Sequence, residues 1–286
     1  MVHFHARSNS FPSNSHPVMV EIQDHLNRLK GSEATSTSDK SAFSNLARLV
    51  NLQDGLKNLI QIPTIQQALS YNQLGTRINE ILEGSLRLVD LCGFSREVVC
   101  LTKESVHDLE SSIRRNRGET ATANDIKSYL ASRKRINKAV DKYIKNLKSF
   151  NQNSTALLEE DNALKTIVIV LKEMEAISFS VLKSVLLLLS GANERSNQRS
   201  WPFLSKFTQK KNQAYSETNE ECGSEDLFNL HVRSSMKLTD NSAVQNILKK
   251  LKESEMIIHQ LEEGLEALFR SLLKTRVSLL NILSDH

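Results

Sequence analysis

The chain has 286 residues, enough for one or two domains with a substantial core. Only nine glycines and four prolines punctuate it, and leucine, lysine, glutamate and serine are plentiful, which excludes a turn-rich β architecture and predicts an all-α protein. A formal net charge of +4 is too small to demand or exclude a polyanionic partner, so the local distribution of charge has to decide.

Residues 1–17 carry Pro12, Pro17 and many Ser, Asn and His without apolar periodicity, and read as a disordered tail. Residues 18–286 read as a single antiparallel bundle of long amphipathic helices. Val18, Ile22, Leu26 and Leu29 share one side of a short helix that is expected to end at Lys30, before the polar "GSEATSTSD". Asp39 opens a second helix, whose stripe of Phe43, Leu46, Val50, Leu56, Leu59 and Ile60 is expected to stop at Pro63.

From about Leu74 to Arg117 the apolar period is nearly unbroken, through Ile78, Leu82, Leu86, Val89, Val98, Leu101, Val106 and Ile113. A kink is expected near Gly93, and an end at Gly118, with Arg114, Arg115 and Arg117 suiting the carbonyl end of the helix. Cys92 and Cys100, eight residues apart here, lie about 12 Å apart along the axis and are expected as small core residues. Thr122 and Asp125 form a capping signature for the next helix, where Tyr129, Ile136, Tyr143 and Phe150 recur every seven residues and Arg133 interrupts the partner seam.

The segment "LKTIVIVLKEMEAISFSVLKSVLLLLSG" is the most apolar in the chain. Lys172, Glu173, Glu175 and Lys183 divide it, so no charge-free run approaches the roughly 20 residues that cross a bilayer, and a buried helix is expected. Residues 191–240 are the least regular: a loop, a short amphipathic "WPFLSKFTQKK", then the acidic "ETNEECGSED". In the last helix Val244, Leu251, Ile258, Leu265, Leu272 and Leu279 repeat every seven residues, with Ile247, Leu261, Leu268 and Ile282 in the second seam and Ser254 and Thr275 as exceptions. Ser242 and Gln245 supply its capping box.

Catalytic constellations are missing from this pattern. HExxH, GxSxG, GxxxxGK[ST] and GxGxxG do not occur, so the expectation is a non-enzymatic protein with no cofactor and no metal. His107, beside Glu104 and Asp108, reads as a solvated side chain, and the run Glu159, Glu160, Asp161 as charge complementing a helix start. Three scattered cysteines form no disulfide framework and fit a reducing compartment. The cytoplasm is therefore expected, with a plastid as the alternative, since no acid precedes Glu21 and the Ser-rich start with Arg7 resembles a transit peptide in composition.

Two stretches point to partners. Between Arg114 and Lys148 there are eleven Lys/Arg against three acids, and Lys127, Lys134, Lys138, Lys142, Lys145 and Lys148 lie near one face, opposite the seam. An anionic membrane surface, and hence membrane association, is the alternative function this face offers; nucleic acid fits less well, because no aromatic residues interleave the stripe. Arg7, Ser8, Ser10 and Pro12 have the form R-S-x-S-x-P, which resembles the phosphopeptide motif bound by 14-3-3 adaptor proteins, with Ser10 as phosphoacceptor.

The stretches "HARSNSFPSNSHP", "LVDLCGFSREVV", "SSIRRNRG", "YLASRKRINK", "SVLLLLSG", "WPFLSKFTQKK" and "LEEGLEALFRSLLKTRVSLLNILSDH" resemble, in order and spacing, the plant family known as domain of unknown function 241, related to the BYPASS proteins of root and shoot development. The resemblance spans the chain from His5 to His286, except for residues 219–235. It implies a flowering-plant source, a role in root or shoot development, and no family active site to carry over. The expected function is a helical scaffold or regulator acting through protein contacts and a phosphorylated tail, in an unspecified oligomeric state.

Overall fold

The computed structural model describes residues 17–35, 39–70, 75–116, 121–150, 162–191 and 241–284. All regular structure among them is helical: α1 (Pro17–Thr35), α2 (Asp39–Ile60), α3 (Pro63–Ser70), α4 (Gly75–Asn116), α5 (Ala121–Phe150), α6 (Asn162–Ser190) and α7 (Asn241–Ser284). The expected all-α bundle is what the chain forms.

Several boundaries differ from expectation. α1 runs through Gly31 to Thr35, because a glycine inside a helix whose other face is buried weakens it without ending it. Pro63 ends nothing. It opens α3, where its missing N–H is an orphan of the first turn anyway, and the Ile62 carbonyl accepts from the Ile65 and Gln66 amides. α4 continues across Gly93 as one long helix, as expected. Thr122 lies inside α5 rather than before it, and the Asp125 carboxylate accepts a hydrogen bond from the Ser112 hydroxyl of α4.

The long α7 sits between α2 and α4 and presents its seam to both. Leu251, Ile258, Leu261, Leu265, Leu268 and Leu272 are buried, as are Ser254 and Thr275. Ser254 fits the seam by returning its hydroxyl to the Lys250 carbonyl. Side-chain pairs fix the directions. Lys103 meets Glu262 at 2.6 Å, Arg96 meets Glu266, and Arg276 reaches the Leu82 carbonyl, so α4 and α7 are antiparallel. Leu46 stands against Gly264 and Asp54 accepts from Ser271, so α2 and α7 are parallel.

α5 returns antiparallel along α4, through Ser105 to Ser132 at 2.8 Å and a stacked Phe94–Tyr143 pair with centroids 4.0 Å apart. α6 then lies parallel to α4, joined by Glu80–Lys172 and Arg87–Glu175. The bundle is therefore antiparallel between successive long helices and parallel where an intervening helix has made the return. One apolar cluster, with members from all seven helices, fills the interior.

Gly264 allows a close approach of α2 and α7, since a Cβ there would stand 2.7 Å from Leu46 Cδ2. A Cβ at Gly31 meets open space. Gly264→Val is expected to cost about 2 kcal/mol by overpacking, whereas Gly31→Ala is expected to gain about 0.5–1 kcal/mol in helix propensity, both read from urea unfolding.

Candidate interaction surfaces

The interior polar groups hold helices together. Arg133, 2% exposed, is the residue that interrupts the α5 seam. Its guanidinium donates to the Thr102 hydroxyl of α4 at 3.2 Å and to the Leu189 carbonyl at the end of α6, where Gly191 takes the left-handed turn at φ 66°. A cation at the carbonyl end of α6 also complements its dipole. One side chain thus joins three helices.

At the other end of the same contact, α4 and α6 meet across Gly84. A Cβ at Gly84 would lie 2.5 Å from the Glu175 carboxylate, so only bare backbone lets that side chain fold over to Arg87, 3.0 Å away. Burial pushes the Glu175 carboxyl above its ordinary range, and Arg87 opposes that shift. Two of the other charges dividing the apolar α6 segment are also paired: Lys172 with Glu80 at 3.1 Å and Glu173 with Lys30 of α1 at 3.1 Å. Among the described residues no helix is long and apolar enough to cross a membrane.

Groups with intrinsic reactivity are dispersed. Cys92 is buried, its thiol 3.6 Å from the Leu265 carbonyl and its pKa pushed up to about 12 by burial. Cys100, expected in the core, is exposed, because eight residues rotate a helix by about 80° beyond two full turns and carry it off the buried side. His107 is exposed, as expected. Among the described residues no group of three or more His, Cys, Asp or Glu side chains is arranged to hold a metal ion.

Two surfaces remain. On α5, Lys127, Lys134, Lys138, Lys142 and Lys145 are all exposed, while Ile126, Tyr129, Ile136, Val140 and Ile144 are buried on the opposite side. The side chain of Lys148 lies outside the described residues. On α7, Leu273, Val277 and Leu280 form an exposed stripe at i, i+4 and i+7. The heptad reading missed it, since it followed only the buried seam; the signal was a second apolar spacing on the opposite side. Arg7, Ser8, Ser10 and Pro12, the 201–211 segment, Gly118, Cys222 and the Glu159–Asp161 run lie outside the described residues.

Residues 45–282 match the family model described as Protein BPS1. The chain belongs to the BPS1 family. This agrees with the BYPASS-related resemblance carried by the sequence stretches. No curated protein and no solved structure matches the chain. The BPS1 match runs from α2 into the last turns of α7, so it takes in the Arg133 joint, the Gly84 crossing and the whole basic face of α5.

Arg133→Met is expected to destabilise this BPS1-family chain by about 2–3 kcal/mol in urea unfolding, because Thr102 and the end of α6 lose a buried charged donor. Arg133→Lys should not restore it, since one ammonium lacks the fork that reaches both acceptors. For Glu175 the folded carboxyl binds its proton more tightly than the unfolded one. Its ionisation therefore costs stability as pH rises from about 4.5 through the raised folded value, and below 4.5 that cost is absent. Relative to Glu175→Gln, the wild type should lose stability over that window as pH rises, followed by thermal unfolding at stepped pH.

Proposed function

We propose that this chain is a non-enzymatic helical scaffold or regulator in plant root and shoot development, working in the cytoplasm through protein contacts and a phosphorylated N-terminal tail. Membership of the BPS1 family supports the developmental role. The observation that carries the scaffold reading is the use of the interior polar side chains. Arg133, Arg276 and the Arg87–Glu175 pair each engage a neighbouring helix, and Gln53 of α2 donates to Ser178 of α6. Side chains held in this way fix the bundle's shape and leave its surface to meet partners.

The tail supplies the regulated contact. Phosphorylation of Ser10 adds about −1.5 to −2 charges and three acceptor oxygens, which a cluster of arginines on a 14-3-3 adaptor clasps, with Arg7 and Pro12 setting the peptide's register and exit.

The test is an affinity capture from plant extract with the chain phosphorylated at Ser10 and with Ser10→Ala, read by mass spectrometry. The expected outcome is recovery of 14-3-3 proteins by the phosphorylated form alone. Identical partner sets from both forms would remove the tail from the mechanism.

A further inference from the structure

α5 packs chiefly against α4 and α6, which leaves its remaining side outward. Along it, Lys127, Lys134, Lys138, Lys142 and Lys145 follow spacings of 7, 4, 4 and 3, which keep them within about 80° of arc in a row about 27 Å long. None of the five forms an ion pair among the described residues, whereas Lys30, Lys103 and Lys172 elsewhere on the bundle each hold a carboxylate of another helix. Of the two acids of α5, Asp125 takes the Ser112 hydroxyl and Asp141 borders the row. Among the described residues the face is a ridge of net positive charge.

We propose that this ridge docks the bundle on the surface of an anionic phospholipid bilayer, with α5 lying along the membrane plane. Charge complementarity sets the sign of the partner, and four features select lipid among anionic partners. The row itself consists of lysines, with Arg135 only at its border, while Arg87, Arg96, Arg133 and Arg276 make the directed contacts between helices. Lysine acts as a point charge without a bidentate fork, which suits a diffuse headgroup layer better than a fixed phosphate or carboxylate.

The aromatic residues of α5 whose side chains are described face away from the row. Tyr129 is buried and Tyr143 is stacked on Phe94, so neither offers a base the stacking platform that single-stranded nucleic acid uses. The exposed residues between the lysines include Ser128, Ala131 and Ala139, which do not hold the ammonium groups back from a flat surface. Leu130, exposed on the flank, adds an apolar contact at headgroup depth. This docking is separate from the tail and stands or falls independently of it.

The experiment is co-sedimentation of the full chain with vesicles of phosphatidylcholine alone and with phosphatidylserine added. Three forms are compared: wild type, Lys138→Gln/Lys142→Gln on α5, and Lys252→Gln/Lys274→Gln on the exposed side of α7. Both variants lose the same charge at exposed positions, and circular dichroism checks that both fold. The expected result is binding that requires phosphatidylserine and weakens with salt. Each α5 lysine removed should lower affinity about fivefold, so the α5 pair lowers it about 25-fold, and the α7 pair leaves it close to wild type.

Binding that ignores phosphatidylserine, or no vesicle binding at all, overturns the proposal. Equal loss from the two variants would reduce the effect to net charge and overturn it too. A single-stranded RNA probe run in parallel separates the other occupant: RNA binding that depends on the α5 pair, with vesicle binding that does not, assigns the face to nucleic acid instead.

Discussion

The seam of α7 has to be covered along a helix of 44 residues, about 66 Å, and no single neighbour does it. Each of Leu251, Ile258, Leu261, Leu265, Leu268 and Leu272 contributes about 2 kcal/mol when removed from water, so leaving even part of the row exposed would be costly against the marginal stability of a folded chain. α2 and α4 divide the task, one on each side of the seam. That division sets the remaining architecture. It fixes α2 and α7 as parallel neighbours, with Gly264 giving Leu46 the room it needs, and it leaves the other faces of α4 to be covered by α5 and α6.

Apolar burial alone does not choose among alternative registers of long leucine-rich helices, because a shift by one heptad presents a similar surface. The polar joints make that choice. Arg133 finds Thr102 and the end of α6 only in one alignment of three helices, and Glu175 finds Arg87 only where Gly84 lets the helices close. Misalignment would leave a guanidinium or a carboxylate buried without its partners, a penalty of several kcal/mol. The same reasoning accounts for Arg276, which crosses from α7 to the Leu82 carbonyl and to Ser85 at 2.9 Å. Arg96 does similar work at the surface, pairing with Glu266 while its guanidinium lies 4.5 Å above the Phe269 ring.

Arg133, Arg276 and Arg87 place planar, directional donors between helices, Lys30, Lys103 and Lys172 add ion pairs between helices nearer the surface, and the α5 lysines face outward with no ion pair among the described residues. The exposed stripe of Leu273, Val277 and Leu280 adds an apolar surface near the end of α7. The buried chemistry is structural: Cys92 is held protonated by its surroundings, and Gln53 reaches only as far as Ser178.

The helices themselves were legible in the sequence because a 3.6-residue apolar period is a local property. Asp39 and the seven-residue repeat of α7 marked elements that the structure keeps, and the lysine row of α5 falls opposite the buried side by the same arithmetic. The periodicity did not say which helix each seam would meet. That is why the short α3 that Pro63 opens is not visible in the pattern, why Cys100 reads as a core residue, and why Arg133 looks like a defect in a heptad. Sequence by itself determined the helical class, the apolar sides and the charge of the exposed ridge. Only the tertiary structure decided the parallel and antiparallel order, the close approaches at Gly84 and Gly264, and the partners of each buried charge, since these depend on residues tens to hundreds of positions apart meeting in space.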